Sequence, residues 1–320
     1  MLFRSDLDFS ALYSPYKFLP QDERLHLALN YHYMQWRASL SYNRTDFYDL
    51  FGPTKTSRKG YAGSISYSQI LIDDRPKTMD YSVSISGYGG LERLPDYQNV
   101  GASFDRFLTA AFRLNYSSYQ FTMGAVDNER GLRIQLHSRT NYVNNKIFPL
   151  LYSNIDVGFL LPIDHSSIWW RNSFGYSFGD DNNSFAYFFF GGFGNNWVDY
   201  AAVKRYREYY TFPGAELNSI GGTNYGKSMI EWTLPPLRFK RFGFTNIYCT
   251  WARCALFTSG IMTEIDDNTY RRTLANAGAQ ADFKLILFSH LDTTLSFGYA
   301  FAFEKGETTT REFMVSLKIL

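Results

Sequence analysis

One short run of the sequence combines the residue types of a hydrolytic site. Asp164, His165, Ser166 and Ser167 bring a carboxylate, an imidazole and two hydroxyls together. A nucleophile, a base and an orienting acid can perform acyl transfer, but they must face one another in space, and side chains adjacent on a turn point apart. We therefore interpret this run as a solvated extracellular turn. A hydrolase that depends on His165 is the least favoured function.

Three acidic pairs suggest a second kind of chemistry, the binding of a divalent cation. They are Asp73-Asp74, Asp180-Asp181 and Asp266-Asp267. A calcium loop supplies ligands at spaced positions, which these pairs lack, and Asp is also common in turns. The sequence shows no zinc spacing, no P-loop and no GxGxxG motif. We therefore expect no catalytic residue, no metal, no cofactor and no enzymatic activity.

A basic and aromatic stretch is the third candidate. It contains Lys204, Arg205, Tyr206, Arg207, Tyr209, Tyr210 and Phe212. The whole chain has 32 basic and 30 acidic residues and a net charge of +2, so its charge gives no support for a nucleic-acid partner. We expect this patch to pack inside the fold. Contact with an external ligand, or no specific role, are the alternatives.

The elements that must position these residues are strands. Phe, Tyr and Trp make up 19% of the chain, and aromatic side chains suit a half-buried pleated surface. No window approaches the ~18 consecutive apolar residues of a membrane helix. In the segment 295–303, Leu, Phe and Tyr alternate with Ser, Gly and Ala, and 168–178 and 311–320 alternate similarly. Large apolar side chains opposite small polar ones are typical of a lipid-facing wall around a wet lumen. A soluble β-sandwich is the structural alternative.

The pattern predicts a single-domain, all-β, antiparallel transmembrane barrel of sixteen strands over residues 1–320, in the bacterial outer membrane. The predicted strands are 6–14, 24–33, 35–45, 59–72, 78–89, 103–115, 118–126, 131–142, 148–162, 167–178, 185–193, 224–234, 245–257, 273–287, 292–303 and 311–320. Tight turns are expected near Met34, 73–77, Ser117, 143–147, 179–184 and 289–291. Longer loops are expected at 46–58, 90–102, 194–223, 258–272 and 304–310. Such asymmetry is typical of outer-membrane barrels.

Three links depart from this asymmetry. The turn at 235–244 is long for its side, and the links near Asn128 and Asp164 are short for theirs. An even number of strands would place both termini on the short-turn side and let the last strand close against the first, which removes both sheet edges.

The stretch from Phe185 onward resembles the bacterial surface-antigen family, which includes the outer-membrane protein assembly factor and two-partner-secretion translocators. The order of motifs carries the resemblance: FAYFFFGGFG, a long loop, then GGTNYGKSMIEWTLPP and three further strands. The segment 207–239 is also similar to barrels that end exported proteins with a TolB-type propeller. The resemblance implies a sixth loop that folds into the lumen. It also implies an anchor in outer-membrane lipids and a channel for protein insertion or translocation.

The family's loop carries an Arg that pairs with an Asp on strand thirteen. Here Phe212, Pro213, Gly214 and Glu216 stand at that place, and only the strand-twelve acid, Glu231, is present. One hypothesis is a swapped lock in which Glu216 pairs with Arg253 or another luminal cation, because a desolvated charge needs a partner. Two solvated charges without contact are the alternative. Gly214, Gly221 and Gly222 are expected to permit turns with positive φ.

The sequence therefore predicts an outer-membrane barrel that serves as an anchor and as a channel for protein cargo. We expect no periplasmic domain within residues 1–320, so a partner or covalently attached N-terminal domain would supply one. A porin-like channel for small solutes is the alternative function.

Overall fold

The computed structural model describes residues 5–15, 21, 24–43, 60–90, 105–180, 183–195, 198–199, 204–244, 246–288 and 290–319. The strands are β1 (Ser5–Tyr13), β2 (Leu25–Tyr33), β3 (Trp36–Tyr42), β4 (Tyr61–Asp74), β5 (Lys77–Gly89), β6 (Phe107–Gln120), β7 (Arg130–Val143), β8 (Lys146–Leu160), β9 (Ser167–Ser177), β10 (Phe188–Phe190), β11 (Val198–Asp199), β12 (Ile220–Gly222), β13 (Asn224–Thr233), β14 (Leu237–Phe244), β15 (Ile247–Thr263), β16 (Arg272–Leu287), β17 (Leu291–Glu304) and β18 (Thr310–Ile319). Single 3₁₀ turns occur at Ser184–Ala186 and Arg205–Arg207. Among these residues no helix is long and apolar enough to cross a membrane.

Sixteen of the strands form one sheet, in which every pairing but one is antiparallel, so the all-β class and the strand count are confirmed. Two members are short additions. β14 continues β13 along the same edge of β15 after Leu234-Pro235-Pro236, and β11 is two residues that run parallel to the end of β18. The other fourteen strands follow one another as neighbours, from β1 to β9 and then from β13 to β18.

Four of the predicted segments are wrong in detail. The predicted strands 103–115 and 118–126 meet in one strand, β6, and no turn occurs at Ser117. The predicted wall strand 185–193 lies off the main sheet, where β10 pairs with β12 and leaves β9 beside β13. The predicted turn at 235–244 is strand β14, since its residues pair with β15 after the two prolines interrupt the ladder.

These changes explain the irregular links. With no turn at Ser117, the links 121–129 and 161–166 join strands at the same end of the sheet as 34–35 and 75–76, which we call the short-turn end. There β14 and β16 end, β15 and β17 begin, β1 begins and β18 ends. At the opposite, long-loop end, β1, β3, β5, β9, β15 and β17 end and β2, β4, β6, β13, β16 and β18 begin, together with the turn Asn144-Asn145. The expected loop 46–58, and the expected loop 90–102 apart from Gly90, lie outside the described residues.

The two faces of the sheet differ sharply in chemistry. In the segment 295–303 of β17 the three residues Phe297, Tyr299 and Phe301 are 37–40% exposed, while the small residues between them are buried. On β9, Trp170 is exposed and Arg171 is buried. Large apolar side chains therefore cover the outer face, and the inner face carries the charges. A soluble sandwich would show the reverse arrangement.

The segment 183–223 is here called the inward segment, and its described residues other than β11 lie on the concave face of the sheet. The ring of Phe185 lies 6.3 Å from that of Phe107 on β6, and the backbone N–H of Phe193 donates to Glu312 on β18 at 3.0 Å. The sheet therefore curves around this segment from β6 to β18. The expected closure between first and last strands is not seen in the described ranges: β1 pairs with β2 alone and is exposed throughout, and the edge of β18 carries β11.

Candidate functional site

The inward segment begins and ends at the long-loop end with an aromatic cluster. The hairpin of β10 and β12 places Phe190 opposite Ile220, and both are fully buried. The ring of Phe190 lies 4.6 Å from that of Tyr225 on β13, and Phe212 packs into the same cluster. Because contiguous buried aromatics stabilise by both area and geometry, this cluster anchors the segment where it enters the lumen-facing side.

A backbone clasp holds the middle of the segment against the last strands. Glu312 on β18 accepts hydrogen bonds from the backbone N–H groups of Phe193 and Gly214, each at 3.0 Å. Asn276 on β16 donates to the carbonyl of Pro213 at 2.9 Å. Gly214 has φ +96°, and a Cβ there would lie 2.5 Å from the carbonyl carbon of Phe301. Only glycine fits this position without displacing backbone.

Lys227 fastens the segment from the other side. This side chain of β13 is buried, and its Nζ donates to the backbone carbonyls of Glu208, at 3.0 Å, of Tyr209, at 3.1 Å, and of Thr211. An ammonium group has three N–H donors, so the three carbonyls satisfy it without any acid. The lysine thus acts as a cap for a tight turn of the inward segment.

A continuous chain of ion pairs lies at the short-turn end of the segment. It joins Arg133 to Asp156 (2.7 Å), Asp156 to Arg171 (3.0 Å), Arg171 to Glu231 (2.9 Å), Glu231 to Arg207 (2.5 Å), Arg207 to Asp127 (2.9 Å), Asp127 to Arg253 (3.1 Å), Arg253 to Asp282 (3.7 Å) and Asp282 to Lys204 (2.5 Å). We call it the ion-pair chain. It contains five cations and four acids, and it connects the inward segment to six strands, β7, β8, β9, β13, β15 and β16, and to the link 121–129.

Glu231 is the centre of the ion-pair chain. Its carboxylate is fully buried and accepts from Arg171, from Arg207 and from the hydroxyl of Tyr206, the last at 2.7 Å. The Tyr206 ring stacks on Phe257 with centroids 4.7 Å apart. Phe257 therefore faces inward, contrary to the general expectation for large aromatic residues, because the inward segment offers it an apolar partner. The segment is held by charge and by packing at one point.

The expected pairing of Glu216 with Arg253 is wrong. Glu216 is exposed near the long-loop end, whereas Arg253 is buried near the short-turn end and pairs with Asp127 and Asp282. The arginine of the inward segment that does contact a strand acid is Arg207, which precedes Phe212 and pairs with Glu231 on β13. Sequence reasoning assigned Arg207 to the basic patch and Glu231 to the lock, and the structure joins them. In the alternation of β13, Glu231 falls at an inward-facing position, and this was the feature of the sequence that indicated a buried partner for it.

The remaining predicted residues are also placed. Arg205 donates to the Tyr210 hydroxyl at 3.2 Å, and the Tyr209 ring lies 4.4 Å from that of Tyr152 on β8. The expectation of positive φ is correct at Gly214 and wrong at Gly221 and Gly222, which lie in β12. Gly222 is instead required for a close approach, because a Cβ there would lie 2.8 Å from the Cβ of Thr263.

His165 has partners but not the geometry of a triad. Its Nδ1 lies 2.8 Å from a Glu129 carboxylate oxygen, and the Thr122 hydroxyl donates to the other oxygen at 2.7 Å. The hydroxyl therefore points to the acid rather than to the far imidazole nitrogen, which a nucleophile requires. The run 164–167 lies at the short-turn end, not at the long-loop end. Within the described ranges no group of three His, Cys, Asp or Glu side chains is arranged to hold a metal ion.

Asp127 should make the stability of the ion-pair chain depend on pH. Burial alone would raise the pKa of its carboxyl, but Arg207 and Arg253 outweigh burial and hold that pKa well below its ordinary value of 3.8. A depressed pKa stabilises the fold above the ordinary value, and this stability is lost as pH falls towards the folded value. We expect Asp127→Asn to lower the free energy of unfolding by about 2 kcal/mol near neutral pH, and by less in acid.

The measurement is guanidinium unfolding of both proteins, followed by tryptophan fluorescence, at about pH 7 and about pH 3. A difference between the two proteins that does not shrink in acid would contradict the assigned role of Asp127.

No protein-family model matches the sequence, and no curated protein matches it.

Proposed function

We propose that the chain is an outer-membrane β-barrel of the surface-antigen type, an anchor whose lumen is closed at rest by its own inward segment. The observation that carries this proposal is the division of side chains between two faces. Apolar rings cover the outside, whereas Glu231, Arg171, Lys227 and Asp282 are buried inside and paired. Charges on an inner face and aromatic side chains on an outer face suit a bilayer rather than water.

The inward segment supports a closed channel over an open pore. It extends from the aromatic cluster at the long-loop end to the ion-pair chain at the short-turn end, and therefore lies along the whole height of the inner face. The contact of Arg207 with Glu231 is a loop-to-strand ion pair, although it uses the strand-twelve acid and not the strand-thirteen Asp that the family resemblance implies. Protein cargo, or an attached N-terminal domain, would use the barrel only after the segment moves.

Bilayer conductance tests this proposal. Phe190 pairs with Ile220, so residues 192–218 can be replaced by Asn-Gly, which closes a two-residue hairpin turn. We expect the unmodified protein to insert into planar bilayers with almost no steady conductance. The shortened variant should show a large steady conductance, because a wide barrel without a plug leaves an aqueous path.

The matched control replaces residues 305–309, an exposed link at the same end, with Gly and Ser at unchanged length. Its conductance should equal that of the unmodified protein. Two results would reject the proposal. Failure of the unmodified chain to float with lipid vesicles would exclude a membrane barrel, and steady conductance that the replacement of 192–218 leaves unchanged would favour the porin-like alternative.

A further inference from the structure

A polar cavity of about 370 Å³ opens between the inward segment and the strand ends at the short-turn end. Tyr119 on β6, Trp169 on β9 and Trp251 on β15 form aromatic walls, and the ion-pair chain forms its inner side. The volume falls within the range of small-molecule sites. The pairing that closes the lumen leaves this space unfilled, so the cavity is not explained by the proposed plug.

The lining of the cavity carries more positive than negative charge. All five cations of the ion-pair chain line it, but of the four acids only Asp127 and Asp282 do. Lys284 and Lys318 add two further ammonium groups, and Lys284 is paired with the exposed Asp292 at 3.4 Å. Because walls of low dielectric strengthen the field of such a cluster, the cavity attracts anions.

Buried polar atoms at the cavity point to a built site. The indole N–H of Trp169, which is 2% exposed, has no hydrogen-bond partner in the described structure. The same holds for Nε of Arg253 and Nε of Arg133. Buried donors of this kind are normally satisfied, so they indicate an absent acceptor. The Gln280 side-chain carbonyl oxygen, also buried and unpartnered there, is an acceptor suited to a hydroxyl group.

We propose that this cavity binds a small phosphorylated molecule, of about the size of a sugar phosphate, from the short-turn side. Guanidinium groups match the oxygens of a phosphate with paired N–H donors. The oxyanion would lie among Arg133, Arg253 and the lysines. The neutral part of the ligand would pack against Trp169 and give a hydroxyl to Gln280. The site adds a ligand to the barrel and does not depend on whether the channel conducts.

Calorimetric titration of the purified full chain tests the site, with glucose 6-phosphate, inorganic phosphate and glucose as probes. We expect glucose 6-phosphate to bind at least about tenfold more tightly than inorganic phosphate, and glucose not to bind. Lys284→Gln with Lys318→Gln should weaken the binding of glucose 6-phosphate about tenfold, since both changes remove charge without touching the ion-pair chain. Lys146→Gln, which removes an exposed lysine at the long-loop end, is the matched control and should leave it unchanged.

Three outcomes would overturn the proposal. They are the absence of saturable binding of glucose 6-phosphate at millimolar concentration, equal affinity for the ester and inorganic phosphate, and equal losses in the double-lysine variant and the control. These titrations do not measure conductance. A failure to bind glucose 6-phosphate would therefore not contradict the closed channel, and an open channel would not contradict the ligand site.

Discussion

Replacing Glu231 by Gln lowers the free energy of unfolding by about 3–5 kcal/mol and releases the inward segment, because it removes one charge from a buried set. Gln retains the size of Glu but leaves Arg171 and Arg207 without their shared carboxylate. Arg171 keeps Asp156 and Arg207 keeps Asp127, but the five cations of the chain then share three acids, and a shortage of buried negative charge costs far more than a lost surface charge. Guanidinium unfolding measures the energy, and trypsin cleavage after Arg207, which is protected when the segment is seated, measures the release.

Glu216→Gln is the control for this prediction, because it makes the same chemical change on the inward segment at an exposed position. Its effect should lie within about 0.5 kcal/mol, with no added trypsin cleavage. Similar small effects of the two substitutions would show that the ion-pair chain does not hold the segment.

Replacing Gly214 by Ala has the second largest expected effect. The added Cβ would lie 2.5 Å from the carbonyl carbon of Phe301 and 2.6 Å from the N of Ala302, both backbone atoms of β17. The φ of +96° adds strain for any L side chain. We expect a loss of about 3 kcal/mol in the free energy of unfolding, and a steady bilayer conductance, because the segment must move away from the wall.

Gly221→Ala provides the matched comparison. At that position the nearest atom to a new Cβ is 3.6 Å away, on the flexible ring of Tyr187, and φ is not in the left-handed region. Alanine should be neutral or stabilise the protein by about 0.5 kcal/mol, because it restricts the unfolded chain. If both variants unfold and conduct alike, close contact at Gly214 is not what seats the segment.

Where a strand has large apolar residues on one face and small residues on the other, their alternation in sequence was sufficient to predict which side chains face outward. β17 and β9 show this, since their exposed and buried residues follow the predicted parity. The same pattern could not decide which strand pairs with which. FAYFFFGGFG reads as a wall strand, yet β10 pairs only with β12, because pairing is decided by contacts distant in sequence.

Small polar residues and prolines caused the other errors. Ser117 and Ser118 lie inside β6, where both are partly buried and point to opposite faces, because serine is tolerated in a strand as well as in a turn. Pro235 and Pro236 interrupt the ladder on β15 without reversing the chain, since proline removes a donor but permits an extended backbone. The error at Ser117 reversed the predicted ends of the following strands as far as the predicted strand 185–193, whereas the error at the prolines reversed none.

The candidate site was predictable as a set of residues but not as a set of contacts. Lys204–Arg207 and Glu231 were selected from the sequence, whereas Asp127, Asp156 and Asp282 were not. Those acids are distant in sequence from the cations they neutralise, and no spacing rule connects them. What sequence could supply was the requirement that inward-facing charges be paired.

The two residues of β11 give the inward segment a second structural role. Their parallel bonds to Leu317 and Lys318 occupy hydrogen-bonding groups on the outer side of the last strand, which would otherwise be open to any extended chain. Under the proposed function, the inward segment would obstruct the pore and would also cover a sheet edge that favours self-association. Movement of the inward segment away from the sheet would open the channel and expose the edge of β18 together. We therefore expect a variant with raised conductance also to aggregate.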